Sequence, residues 1–538
     1  MKKISIFLSV IMLGLGLTSC ESQLEVPQKS VLNFGDYYAA AEGAEAGQLI
    51  ASVYVQYFKE VCSVEHNILL DILSDDHLVG GGGVSDNSKQ FRNAANFIMT
   101  SADACPKKMY EGIYRCIYFC NCIIEKTEKE DAELNRVKAE AKFFRAVCMF
   151  EAVRLWGTPP FVDHLLSSDE YELGNGDTKE IIEWCLTNLQ EAADVLPAVS
   201  GIGGHAAFGA RVSKHAALAY KGKVALWYGQ KFNDNTILSQ AVTALKSVID
   251  SKNYELVEDM SVLYRPAGDF CKEYIFEHNC AEDDGHPGDK QADKRQTWVG
   301  LRTENMTLPA AVQGGGWGWS AVSGDFGRFL TLHDGGVDGQ RFRSWIATYD
   351  QIMAMKYDAG ATPGVKKSGY YDNEGYFRMK GILFKDDLYD VPGFYRYTFT
   401  NDPYMRYAEV LLMYAEACQL TGSDAAGALA ALNKVRMRAG LPALASMTMQ
   451  DIKDERRAEL WGEHERFFDL VRWGDAATVL KDKNKTWYSF YGYKAGTTDW
   501  DVRTEDGWSK GWDDKYVLMP FPYAQLAANS NLKQNPGW

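Results

Sequence analysis

The stretch from Tyr404 to Gly474 constrains the fold more than any other part of the chain. Tyr407, Val410, Leu411, Tyr414, Ala417 and Cys418 recur at three- and four-residue spacing and so share one face of a helix. Thr421-Gly422-Ser423-Asp424 breaks that spacing and offers an N-cap for a second helix carrying Leu429, Leu432, Val435 and Arg436. Gly440 and Pro442 close it. A third predicted helix places Leu460, Trp461, Phe467, Phe468 and Val471 on one stripe and ends near Gly474. Glu455-Arg456-Arg457 and Arg466 to Arg472 alternate charge beside those aromatics, the pattern of inter-helix salt bridges rather than of a binding site.

The same logic extends toward the N-terminus. Helices are predicted at 37–60 (with 63–72 as a continuation), 108–130, 133–156, 177–195 behind the cap Asp177, 211–231 and 235–251. They fall into pairs, 108–130 with 133–156, 211–231 with 235–251, and 404–421 with 424–439. Alanine recurs where two helices would touch, as at Ala216, Ala219 and Ala225. Each pair leaves an apolar face that only a neighbouring pair can bury, which is the logic of tetratricopeptide-like units. The fold class read from this is mainly α, a helix-pair scaffold (about 37–72, 108–251 and 404–474) carrying a large irregular, loop-rich half. The insertions lie at about 74–107, 252–403 and 482–515, where helical periodicity gives way to glycine and aromatics. Glu273 to Glu277 reads as a short strand. Ordered loops of this length are usually functional. The tail from Tyr516 to Trp538 mixes proline, asparagine and aromatics and should pack back onto the body.

At the N-terminus, Met1-Lys2-Lys3 precedes an apolar run from Ile4 to Leu17 and then Leu17-Thr18-Ser19-Cys20. The run is shorter than the ~18–20 residues a membrane-spanning helix needs. Small residues before a cysteine give the pattern of a bacterial lipoprotein signal: residues 1–19 removed, Cys20 acylated, and residues 20–538 held at a membrane by lipid as a single domain. The formal net charge of −15 argues against nucleic acid and anionic lipid surfaces as partners. Of the eleven cysteines, Cys116, Cys120 and Cys122 cluster on one predicted helix, but no histidine pair joins them at ligand spacing, so small buried side chains are the expected reading.

The motifs together are similar to those of the SusD/RagB family of Bacteroidetes outer-membrane lipoproteins. The resemblance covers nearly the whole chain beyond the signal. It runs through Ala139 to Ala146, Trp156-Gly157-Thr158-Pro159-Pro160, Arg211 to Ala217, Gly314-Gly315-Gly316-Trp317-Gly318-Trp319, Arg406 to Leu412, Glu455 to Leu460, Arg466 to Arg472 and the C-terminal Gln534-Asn535-Pro536-Gly537-Trp538. It implies a cell-surface glycan-binding protein without catalysis, partnered with a SusC-like TonB-dependent transporter and anchored in outer-membrane lipid through Cys20. It also implies a tetratricopeptide-like frame with an irregular ligand-binding half. A peptide-binding member of the same fold is the alternative, and a glycoside hydrolase a further one.

Carbohydrate recognition needs flat apolar faces and planar polar groups that satisfy hydroxyls in pairs. Candidates for the first are Trp298, Trp317, Trp319 and Trp345, with packing of the loop onto the helices as the competing role. The resemblance also places part of the glycan site in the 74–97 segment, where Asp75, Asp76, Arg92, Asn96 and Phe97 are candidates. The aromatics from Trp487 to Trp512 form either a rim or a structural loop. No cofactor is expected. Asp283-Asp284-Gly285 and Asp334 with Asp338 are acidic turns where a structural calcium ion is conceivable, although neither has the twelve-residue loop spacing. Adjacent Asp75 and Asp76 do not make the facing carboxylate pair that glycoside hydrolysis requires.

Overall fold

Most of the long helices begin where a side-chain oxygen closes the first turn. Asp131, Asp177, Ser213 and Asp424 each accept from a backbone N–H two or three residues into the helices Ala132–Trp156, Thr178–Val195, Lys214–Lys231 and Ala425–Arg438. Asp234 accepts two such bonds for Asn235–Asp250, and Thr448 and Asp451 form a reciprocal capping box for Met449–Glu459. Glycine in the left-handed region ends Tyr407–Thr421 at Gly422 and Arg466–Trp473 at Gly474. The computed structural model describes residues 34–82, 89–280, 295–304, 306–364, 373–388, 399–485, 487–489, 501–503 and 509–538.

The helices stack in sequence order. Ala104–Lys126 packs on Ala132–Trp156, which packs on Thr178–Val195, then Lys214–Lys231, Asn235–Asp250, Tyr407–Thr421 and Ala425–Arg438 in turn. The three expected pairs are present, and the helix 178–195, unpaired in the sequence reading, joins the first pair to the second. Ala216, Ala219 and Ala225 are fully buried. A Cβ on Gly222 would meet Leu245 Cγ at 2.4 Å, and one on Gly229 would meet the Leu238 backbone at 2.8 Å, so these two helices approach as closely as glycine allows. The tail does fold back: Met519 N donates to Leu155 O (2.6 Å) and the Trp156 indole to Pro520 O (3.1 Å). Cys116, Cys120 and Cys122 are buried free thiols.

The structure corrects the sequence reading at three places. The expected third helix is two helices, Met449–Glu459 and Arg466–Trp473, because Gly462 (φ 70°) and His464 (φ 68°) both adopt left-handed backbone between them. The expected 37–60 helix is broken at Gly43 (φ 52°) into Phe34–Ala40 and Ala44–Gln56, the second runs into a π-helical turn at Tyr57–Val61, and Ser63 caps a separate helix, Val64–Ile72. The 252–403 region is not devoid of helix: Gly324–His333, Gln340–Trp345 and Tyr349–Ala354 lie within it. It is tied to the frame by antiparallel two-stranded pairings of sequence-distant segments. Tyr274–His278, the expected strand shifted by one residue, pairs with Asp402–Arg406, and His77–Gly80 pairs with Trp319–Val322. A second apolar core around Trp345, Phe342, Phe326 and Trp461 seals the inserted region onto the frame.

Candidate functional site

Buried charge fills the seam between the helical frame and the inserted half. Arg406, wholly inaccessible, donates to Glu273, to Glu459 Oε1 (3.1 Å) and to Glu463 Oε2 (3.0 Å). Arg341 is equally buried and bonds Asp334 and Glu455. Arg472 bonds Glu416 and Asp469. Burial alone would push Glu463 and Asp469 up. Arg406 and Lys380 outweigh it at Glu463, and Arg456 and Arg472 at Asp469, so each carboxyl is held at about 2. These groups are buried and pair chiefly with one another, so they present no open face to a ligand. Asp334 is consumed by Arg341 and His333, while Asp338 pairs with Arg343 at the surface. Asp283, Asp284 and Gly285, like Cys20, lie outside the described residues.

Asp75 and Asp76 belong to this seam rather than to an open site. Arg466 grips Asp75 with two bonds (2.9 and 3.0 Å), and Arg457 reaches both Asp76 Oδ1 (2.7 Å) and Asp75 Oδ2 (2.9 Å). Burial and the neighbouring Asp75 carboxylate push Asp76 up to about 6. At Asp75 the two arginines overcome the same burial and hold it well below the carboxylate range. The arginines of 455–472, read from sequence as frame, are thus the partners of the aspartates read as ligand contacts. Lys483 donates to the carbonyls of Ile72 and Ser74 and fastens the same turn.

Beside it, Ser320 (φ 54°) lies 2.9 Å from His77 Nδ1 and donates to Asp71 Oδ2 at 2.9 Å. The residue set is that of a hydrolytic triad, but Ser320 is 0% exposed and its proton goes to the carboxylate, not to the histidine. The group is structural, joining the strand pair to His464 and Arg378.

The other 74–97 candidates are also internal. Arg92 is buried, and Asn96 accepts from Asn484 Nδ2 (3.2 Å). Phe97, on left-handed backbone, packs edge-on against Trp512 at 5.4 Å, and its carbonyl accepts from Tyr516. Asn96 and Phe97 pack against Asn484, Trp512 and Tyr516 and, with Arg92, offer no face to solvent, while the side chains of the aromatics from Trp487 to Trp508 lie outside the described residues. Trp345 donates to Ala458 O (3.1 Å) with Lys380 Nζ 3.9 Å from its ring, and is 0% exposed. Trp319 is buried against Phe91.

Among the described candidate tryptophans, only the last part of the set reaches the surface, as a stair of three rings. Trp319 lies 6.5 Å from Trp298, which lies 4.9 Å from Trp317, and Trp317 is 40% exposed. Its loop is laced to a second one. Trp317 N donates to Thr297 O (2.8 Å), Gly318 N to Gly300 O (2.9 Å) and Arg302 Nη1 to Trp317 O (3.1 Å). A Cβ on Gly316 would stand 2.2 Å from the Gly300 carbonyl carbon, so the lacing requires glycine there. An open cavity of ≈ 300 Å³ adjoins the ring, lined by Arg302, Thr303, Glu304, Gln313 and Gly314 to Trp317. Gln313 Nε2 donates to Gly314 O (3.2 Å), and Arg302, whose buried Nε makes no hydrogen bond, pairs with Glu304 at 3.8 Å. A fixed indole face beside guanidinium, carboxylate, hydroxyl and amide groups suits a polyhydroxylated ring. The sequence reading missed Arg302, Thr303, Glu304 and Gln313. Their only signal is that they flank the two loops, and the cross-loop register is set by tertiary hydrogen bonds.

Comparison with known proteins gives concordant results. Residues 272–538 match the family model described as "SusD family", and residues 36–226 match one described as "Starch-binding associating with outer membrane". The chain is 24% identical over 480 residues to SusD-like protein P25 of Formosa agariphila, covering 81% of this chain and 80% of that one. It is 26% identical over 457 residues to starch-binding protein SusD of Bacteroides thetaiotaomicron, covering 78% and 76%. Among solved structures it superposes on a laminarin binding SusD-like protein with a TM-score of 0.73 at 26% identity, covering 92% of this chain and 100% of that one. Surface glycan-binding protein A from Bacteroides thetaiotaomicron, in complex with laminarihexaose, shares the fold at TM-score 0.69 and 21% identity, covering 91% and 99%. With its arginine-bonded helical frame and its matched halves, the chain belongs to the SusD/RagB family.

Proposed function

We propose that this protein binds oligosaccharide or polysaccharide on the Trp317 face and does no chemistry on it. The observation that carries the reading is a half-exposed tryptophan, held by a glycine-laced double loop, over a cavity walled by planar polar groups. The names of its relatives, which bind starch or laminarin, support the same ligand class. Trp298 supports the platform from beneath, and Arg302, Glu304 and Gln313 supply the hydroxyl partners. The protein works as one domain of residues 20–538, anchored at the cell surface of the outer membrane through acylated Cys20, and passes its ligand to a SusC-like TonB-dependent transporter. It needs no cofactor.

Calorimetric titration of the full chain in detergent with laminarihexaose and maltohexaose tests the ligand class. Saturable binding of either, lost in Trp317→Ala, is the expected outcome. Failure of both at millimolar concentration, with peptides bound instead, would sink the reading. Cys20→Ala should release the protein from membranes of cells lacking the transporter. Persistent membrane association there would contradict the anchor.

A further inference from the structure

The helical stack carries a groove of its own. Lys214–Lys231 packs against both Thr178–Val195 and Asn235–Asp250, and a groove of ≈ 860 Å³ opens among the three helices. None of its lining residues belongs to the Trp317 cavity.

One edge is a row of acceptors. Ser239, Thr243 and Ser247 follow every fourth residue, and each hydroxyl donates to the carbonyl four residues back (2.8, 3.2 and 2.9 Å). Their protons are thereby used inside the helix, and oxygen lone pairs are left along the groove. The row is ~12 Å long at 1.5 Å per residue, enough for about four residues of extended chain.

The facing side supplies cations. Lys221 Nζ has an amide partner, Gln190 Oε1 at 2.8 Å, and neither Lys221 nor Lys214 makes an ion pair among the described residues. Of the two acidic groups lining the groove, Asp250 pairs with Lys246 (3.1 Å), and Asp194 accepts from Nε2 of the same Gln190 (2.8 Å) whose oxygen holds Lys221. His215 lines the same groove at 5% exposure, and its Nδ1 has no hydrogen-bond partner. Burial, then the adjacent Lys214, lowers its pKa to about 4, so the ring is neutral near pH 7. No tryptophan, tyrosine or phenylalanine lines the groove, so it lacks the platform a sugar ring needs.

We propose that this groove binds an extended acidic polypeptide segment, with Lys214 and Lys221 taking its carboxylates and the Ser239–Thr243–Ser247 edge accepting its backbone N–H groups. Stacked helix pairs offer such extended concave surfaces as a class, and the unpaired lysines set the sign of the charge that fits.

The test is a fluorescence-anisotropy titration of the full chain in detergent with labelled hexaglutamate, hexaserine and hexagalacturonate. Hexaglutamate should bind saturably, at least tenfold tighter than hexaserine, and more weakly as salt rises. The double variant K214E/K221E should weaken it at least tenfold. Thr243→Trp, which obstructs the groove without altering its charge, should do the same, with melting temperatures confirming that both variants fold. Trp317→Ala should leave peptide binding intact, and both groove variants should leave laminarihexaose binding intact, so the two sites succeed or fail separately. The proposal is overturned if hexaglutamate binds no better than hexaserine, if either groove variant binds it as the parent does, or if hexagalacturonate binds equally well.

Discussion

The helical block at 406–473 and the loop at 314–319 place their side chains against expectation in opposite ways. In the block, arginines and glutamates are buried and make the structure. Arg406 and Glu459 have no accessible surface at all. In the loop, a tryptophan that would ordinarily fill a core stands 40% exposed. Residue type alone therefore assigns neither role. What separates the regions is where the polar groups stand: those of the frame are buried and paired chiefly with one another, whereas those beside Trp317 line an open cavity.

Four measurements would break or sharpen that contrast, taken from the largest expected effect down. Arg406→Ala removes the one cation shared by Glu273, Glu459 and Glu463 and leaves them to Arg438, Arg341 and Lys380. It should lower the unfolding free energy by about 3–5 kcal/mol in denaturant titration, because the buried carboxylates lose a charge partner. A loss below about 1 kcal/mol would mean that the seam is not the structural element described.

The second is acid titration of stability. Glu463 and Asp469 sit at about 2 in the fold against 4.5 and 3.8 as reference values, so their contribution is complete above pH 4.5 and lost as pH falls toward 2. Melting temperature should fall steeply across that window. Glu277 has the opposite sign. Burial raises it to about 7, so its contribution grows as pH falls from 7 to 4.5, and Glu277→Gln should flatten that arm of the curve. A melting curve level from pH 4.5 to 2 would contradict the first assignment.

Third, Trp317→Ala should weaken glycan binding at least tenfold, about 1.4 kcal/mol, while stability moves by less than about 0.5 kcal/mol. The reverse pattern, lost stability with binding preserved, would make Trp317 a packing residue. The smallest effect is expected at Arg343, whose pairing with Asp338 is largely exposed, at 62% and 81% of the two side chains. Arg343→Ala should change stability by less than about 0.5 kcal/mol.

The same contrast explains what could be read from sequence. Helix pairs were legible because a burial stripe repeats every 3.6 residues and its caps lie next to it in the chain: Asp177, Asp424 and Gly422 all sit where the pattern places them. Trp317 was legible as a ring in a glycine-rich loop. Asp75 and Asp76 were misread because Arg466 and Arg457, which occupy them, are nearly four hundred residues away in the chain. Trp345 and Phe97 were misread for a related reason. An aromatic in an irregular region carries no periodicity to show which way it faces, and only their contacts with Ala458 and Tyr516 declare them internal. The cavity wall of Arg302, Glu304 and Gln313 had no local pattern at all.

The interruption between Met449–Glu459 and Arg466–Trp473 has a consequence for tolerated change. It brings Arg457 and Arg466, which would lie ~13.5 Å apart along one continuous helix, onto the same carboxylate, Asp75. That non-helical turn has a fixed reach, so a residue added to or removed from 460–465 would redirect the following helix and carry Arg466 off its partner. In that six-residue stretch the information held by the chain is a count as much as a composition: an insertion or deletion of even one residue should not be absorbed there.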